Sequence, residues 1–168
     1  MNHETSAIMS FARLAGVSVS LFALALAVSS GPFASAGGGK KQESQVKLSA
    51  TASKLDADGK QTITITMDIN NGWHAYANPV QFEDLENAQT VVKITSDTKL
   101  QEVKISYPAG KRHTEGKDTF YVYEGKVEIQ ATVKRAAGDT GPLDVSVKFM
   151  TCNDKTCLPP EQVKLQVK

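Results

Sequence analysis

The chain has 168 residues, with 19 Lys and Arg against 18 Asp and Glu and a formal net charge of +1. That near balance, with no basic cluster or stripe, gives nucleic-acid binding no electrostatic support. Hydrophobic residues make up 40% of the chain, and after one N-terminal apolar run no second run occurs, so the remainder reads as a soluble domain with its own core.

Arg13 precedes an apolar run over residues 14–28, rich in Ala, Leu and Val, and Ala34-Ser35-Ala36 follows it. A charged start, a short apolar core and a small-residue cleavage site mark a secretory signal peptide over residues 1–36. The run is short for a membrane-spanning helix, which needs about 20 apolar residues. Residues 37–45 are Gly- and Lys-rich and read as a flexible leader. The domain proper is expected over residues 46–168. Export would place it where a disulfide is chemically permitted.

Val46 to Lys54 alternates loosely and reads as a first strand, closed by Asp56-Ala57-Asp58-Gly59, a turn signal. Gln61 to Asn70 is the clearest strand: Ile63, Ile65, Met67 and Ile69 point one way, and Thr62, Thr64, Thr66 and Asp68 the other. Asn70-Asn71-Gly72 ends it. An aromatic-rich segment, Trp73 to Pro79, follows, then a polar stretch from Phe82 to Ala88 that reads as loop or a short helical turn. Thr90 to Thr95 and Leu100 to Tyr107 read as strands. Lys111 to Asp118 is charged without an apolar period and reads as an exposed loop, with His113 solvated in it.

Thr119 to Tyr123 is a short aromatic strand or loop. Alternation returns at Val127, Ile129, Ala131 and Val133, at Leu143, Val145, Val147 and Phe149, and at Val163, Leu165 and Val167. No segment carries a long 3.6-residue period. Roughly eight short strands with turn signals between them argue an all-β sandwich.

The chemistry-bearing stretch is Met150 to Glu161, which holds the only two cysteines, Cys152 and Cys157, with four residues between them. Asn153 and Asp154 suit a turn at the tip. Residues facing each other across a hairpin have Cα atoms about 4.5–5.5 Å apart, inside the range a disulfide accepts. One reading is a structural staple. The closed loop is small, however, so little unfolded-state entropy is removed, and a redox-active pair needs only proximity and access.

The spacing is not C-x-x-C and no helix follows, so no helix N-terminus lowers a thiol pKa. Lys148 and Lys155 would favour a thiolate and Asp154 would oppose it. Pro159 and Pro160 remove two backbone donors and stiffen the exit from the loop. A soft copper site from Cys152, Cys157, His74, His113 and Met150 is chemically conceivable. The histidines are distant in sequence and no paired-ligand spacing recurs, so no metal or cofactor is expected. His74, between Trp73 and Tyr76, reads as a packed ring.

These segments resemble the N-terminal extracytoplasmic domain family of the thiol:disulfide interchange protein DsbD. The resemblance runs from about Gln61 to the end. Its strongest part is Cys152 through Glu161, with Pro-Pro-Glu after the pair. Gly72 through Pro79, Tyr107-Pro108, and Tyr123 through Val127 add to it. It implies an immunoglobulin-like β-sandwich and thiol–disulfide exchange, making the chain a component of a protein-disulfide reductase system in the periplasm or its equivalent.

The cysteine pair would be reduced by a thioredoxin-like electron donor domain. It would in turn reduce thioredoxin-fold disulfide oxidoreductases or cytochrome c maturation factors. By that resemblance Cys157 forms mixed disulfides and Cys152 resolves them, while Asp118, Phe120 and Tyr121 match a short aromatic cap loop over the pair.

Two departures stand out. Familiar members have five residues between the cysteines, and this chain shows neither a transmembrane electron-carrier region nor a C-terminal thioredoxin-like domain, so electrons are expected from separate proteins. The competing function is a non-catalytic immunoglobulin-like interaction domain whose disulfide is structural.

Overall fold

The computed structural model describes residues 43–168. The expected signal peptide and most of the leader lie outside the described residues. Eleven strands and one 3-10 helical turn, Glu83–Ala88, occur among the described residues. The strands are β1 Val46–Ala52, β2 Lys60–Ile69, β3 His74–Tyr76, β4 Val91–Thr95, β5 Glu102–Ser106, β6 Lys111–Glu115, β7 Asp118–Tyr123, β8 Lys126–Lys134, β9 Leu143–Phe149, β10 Thr151–Cys152 and β11 Glu161–Val167.

They form three antiparallel sheets, ordered β1-β2-β8-β5, β10-β3-β7-β6 and β11-β9-β4. The alternating segments do what their period dictates. Ile63, Ile65, Met67 and Ile69 of β2, with Ile129, Ala131 and Val133 of β8, bury one face of the first sheet. Val92 and Ile94 of β4, Leu143, Val145, Val147 and Phe149 of β9, and Val167 of β11 bury the facing side of the third. These residues make one continuous core, so the two sheets are the layers of an immunoglobulin-like β-sandwich: the strand pattern implies the sandwich, and the resemblance implies its immunoglobulin-like form.

The middle sheet carries the site because its two faces are used differently. Ala75 and Tyr123 are register partners and both join the sandwich core. Tyr76 and Val122, one residue along, point to the other face and form a second cluster with Val80, Phe120 and Cys152. The Tyr123 hydroxyl ties the sheet to neighbouring segments, donating to the Pro108 carbonyl at 3.1 Å and accepting the Asn78 N–H at 3.2 Å.

One local reading changes. Lys111 to Glu115 is a strand, not a loop, because it pairs residue for residue with β7 as an edge strand. Gly116 and Lys117 make the two-residue turn, and Gly116 supplies the positive φ of 61° that such hairpin turns need. The short strands β3 and β10 carry no readable period of their own; they exist as partners of each other and of β7.

Candidate functional site

Cys152 and Cys157 are disulfide-bonded, with Cα atoms 4.0 Å apart, and face each other across an antiparallel bridge. The loop between them is held locally. The Asn153 side-chain oxygen accepts the N–H groups of Lys155 and Thr156, both at 2.9 Å, and the Asn153 N–H donates to the Thr156 carbonyl at 2.9 Å. Asn is suited to this because its side chain mimics a backbone turn. Below the pair, the Leu158 N–H donates to the Thr151 carbonyl at 2.8 Å and Leu158 is buried, which anchors the exit. Pro159 and Pro160 follow on the surface and lead into β11.

The two cysteines are not equivalent. Cys152 ends β10, is 3% exposed and belongs to the second apolar cluster. Cys157 is exposed. The Tyr76 hydroxyl lies 3.4 Å from the Cys152 sulfur. Burial, with Glu115 nearby, raises the Tyr76 pKa above the usual phenol value, so that hydroxyl keeps its proton at neutral pH and can donate to the sulfur.

A cleft of about 550 Å³ opens over the disulfide, bordered by His74, Tyr76, His113 to Glu115 and Cys152 to Cys157. One wall is the cysteine loop and the other is the edge strand β6. His74 is the register partner of Cys152 and His113 that of Phe120. The two imidazoles lie 5.0 Å apart, centroid to centroid, and His113 rests 5.0 Å from the Phe120 ring. His113 is half-buried, packed between aromatic rings rather than solvated. Burial first, then the neighbouring His113, lowers the His74 pKa below 6.5, against smaller opposing effects from Glu124, Asp154 and Glu115.

Of the residues matched to a cap loop, all three lie on β7. Asp118 is exposed beside the hairpin turn, Phe120 is 3% exposed under Tyr76, and Tyr121 is half-buried against the sandwich core. The residues of this hairpin that border the cleft are His113, Thr114 and Glu115. Sequence reasoning set His113 beside the pair only as a conceivable copper ligand, and assigned Thr114 and Glu115 to no site. A period-two reading of Lys111 to Glu115 against the aromatic strand after it would have put His113 on the Phe120 face. Of the two lysines, Lys155 borders the cleft and Lys148 lies on β9. No group of three or more His, Cys, Asp or Glu side chains converges as a metal site among the described residues.

Among solved structures, the chain is similar to the N-terminal periplasmic domain of ScsB from Proteus mirabilis, at 15% identity and a TM-score of 0.53. That match covers 72% of this chain and 44% of the other, so the chain spans under half the length of that relative. It is also similar to the reduced DsbD N-terminal domain of Neisseria meningitidis, at 18% identity and a TM-score of 0.43, covering 68% and 80% of the two chains. A third similar structure is the complex between the DsbD and PilB N-terminal domains from Neisseria meningitidis, at 16% identity and a TM-score of 0.43, covering 70% and 80%. A search of curated proteins finds no match. The model of the family described as thiol:disulfide interchange protein DsbD, N-terminal, matches residues 41–168, and the chain belongs to that family.

Proposed function

We propose that this domain is an exported thiol–disulfide exchange module that passes electron pairs from a thioredoxin-like donor to thioredoxin-fold clients. Family membership supports the chemistry. The observation that carries the proposal for this chain is the unequal exposure of the two sulfurs in an open cleft. Cys157 is exposed and Cys152 is covered, which suits Cys157 to forming the bond with a partner and Cys152 to resolving it.

In the client-reducing direction, the Cys157 thiolate attacks one sulfur of the client disulfide. A Cys157–client bond forms, the client S–S bond breaks, and the electron pair leaves with the second client sulfur. Cys152 then attacks Cys157. The intramolecular disulfide closes, the bond to the client breaks, and the client departs as a dithiol carrying two electrons and, after protonation, two protons. Donor thiols reverse both steps to reload the domain. His113, Thr114 and Glu115 of β6 border the cleft that holds the disulfide, which suits the β6–β7 hairpin to screening the pair.

The experiment is a redox titration combined with trapping. An exchange pair gives a potential above about −300 mV, whereas structural disulfides in secreted proteins lie below it. The Cys152→Ser variant should accumulate a Cys157 mixed disulfide with a thioredoxin-fold substrate. A potential below that limit with no trapped species would leave the domain a non-catalytic interaction module with a structural disulfide.

A further inference from the structure

The register of the middle sheet puts two imidazoles on the face that holds the covered sulfur. His74 stands opposite Cys152 across the β3–β10 ladder, only 8% exposed. His113 lies against it at 5.0 Å from the neighbouring edge of the cleft. The exchange cycle needs a base at this spot. Cys152 is buried in the second apolar cluster, yet it must lose its proton to attack Cys157. The hydroxyl that meets its sulfur, Tyr76, keeps its own proton at neutral pH and so stabilises a thiolate without creating one.

We propose that His74 takes the proton of Cys152 as that sulfur closes onto Cys157 and returns it to the departing client thiolate. The inference rests on the exchange reading above. The step balances: the Cys152 S–H bond breaks and its proton passes to the imidazole. The Cys152–Cys157 bond forms as the Cys157–client bond breaks, and the client sulfur leaves with the electron pair and then the proton. His74 ends neutral, as it began, and no outside oxidant is needed because the mixed disulfide supplies the oxidising equivalent.

The groups facing His74 are consistent with that role. Tyr76 lies edge-on to it on the same strand at 5.9 Å. His113 and Glu115 come from β6, Asp154 and Lys155 from the cysteine loop, and Glu124 follows β7. Burial and His113 keep the free ring neutral, and a neutral ring can accept a proton. The three carboxylates stabilise the imidazolium formed in passing.

The test uses the reduced protein and oxidised glutathione, at concentrations high enough for the glutathione mixed disulfide to accumulate. Acid quenching and mass spectrometry resolve the dithiol, the mixed disulfide and the closed disulfide. In the unmodified protein, closure should slow below a break that lies under pH 6.5. His74→Gln should lower closure at pH 7 by about a hundredfold, within the range for a positioned base, and remove the break. Mixed-disulfide formation in a Cys152→Ser background should be unchanged by adding His74→Gln.

Closure that rises about tenfold per pH unit from pH 5 to 8 in the unmodified protein, with no break, overturns the proposal, since hydroxide would then be the base. That profile decides the matter even if the His74 variant does not fold. An equal closure rate in a folded His74→Gln protein overturns it as well. Failure of Cys152→Ser to form any mixed disulfide overturns the exchange reading and this inference with it, whereas the two closure results overturn this inference alone.

Discussion

The hydroxyl of Tyr76 meets the sulfur of Cys152 at 3.4 Å, inside the apolar cluster that also holds Phe120, Val80 and Val122. The ring and the hydroxyl have separable roles. The ring lies 5.6 Å from Phe120 and fills the cluster, while the hydroxyl gives the covered sulfur its polar neighbour. Tyr76→Phe keeps the ring and removes the contact, so it should cost about 1 kcal/mol, the net worth of an ordinary hydrogen bond. Tyr76→Ala empties the cluster and should cost about 3 kcal/mol or more. Urea unfolding of the two variants checks the split; equal losses would show that the hydroxyl, not the packing, dominates.

Acid should weaken the fold through His74. Its folded-state pKa is depressed below 6.5 by burial and by His113, so the unfolded chain binds this proton more readily. The contribution is fully present above pH 6.5 and declines as pH falls from there to the folded pKa, below which it is flat. Unfolding free energies measured at steps from pH 7.5 to pH 5 should show the decline, and His74→Gln should flatten that part of the curve. A decline of the same size in the variant would assign it to other groups.

How much of this was readable in the chain depended on whether a segment had two unlike faces. β2, β8 and β9 alternate buried aliphatics with polar residues, and that period alone placed them in the sandwich core. β6 is Lys-Arg-His-Thr-Glu. It is a strand because it lies at a sheet edge, where charged side chains are tolerated and discourage pairing with other chains. Composition therefore suggested a loop, and His113 was read as solvated. The two-residue strand β10 and three-residue strand β3 are too short for any period. Their pairing, which sets His74 beside Cys152, is a property of the assembled sheet. The cysteine loop was legible because Asn153 caps its own turn, a contact set within a few residues.

Gly110 packs where no side chain fits. A Cβ built there would lie 2.6 Å from the Ala77 Cβ and 2.9 Å from the Tyr121 Cβ. Neither neighbour can turn away by changing rotamer, so the backbone between β5 and β6 must shift. Gly110→Ala should destabilise the domain by about 1–3 kcal/mol, the usual cost of overpacking, and displace the β6 wall of the cleft. Denaturant unfolding measures the first effect. Faster alkylation of the reduced cysteines under native conditions measures the second, and an unchanged alkylation rate would show that β6 does not limit access.

Reducing the disulfide should leave the domain folded. Only four residues lie between Cys152 and Cys157, and a ring that small withdraws about 2 kcal/mol from the unfolded state on the chain-entropy account. The sandwich core is built from β1, β2, β4, β8, β9 and β11 with contributions from β3 and β7, and contains neither cysteine. Its cohesion is therefore independent of the bond. Thermal melts with and without reductant should differ by a modest shift in Tm while far-ultraviolet circular dichroism at 25 °C stays the same. Loss of the folded signal on reduction would mean that the bond staples the fold and that exchange at Cys157 cannot be its task. A folded dithiol form is the state in which a resting electron carrier has to survive between partners.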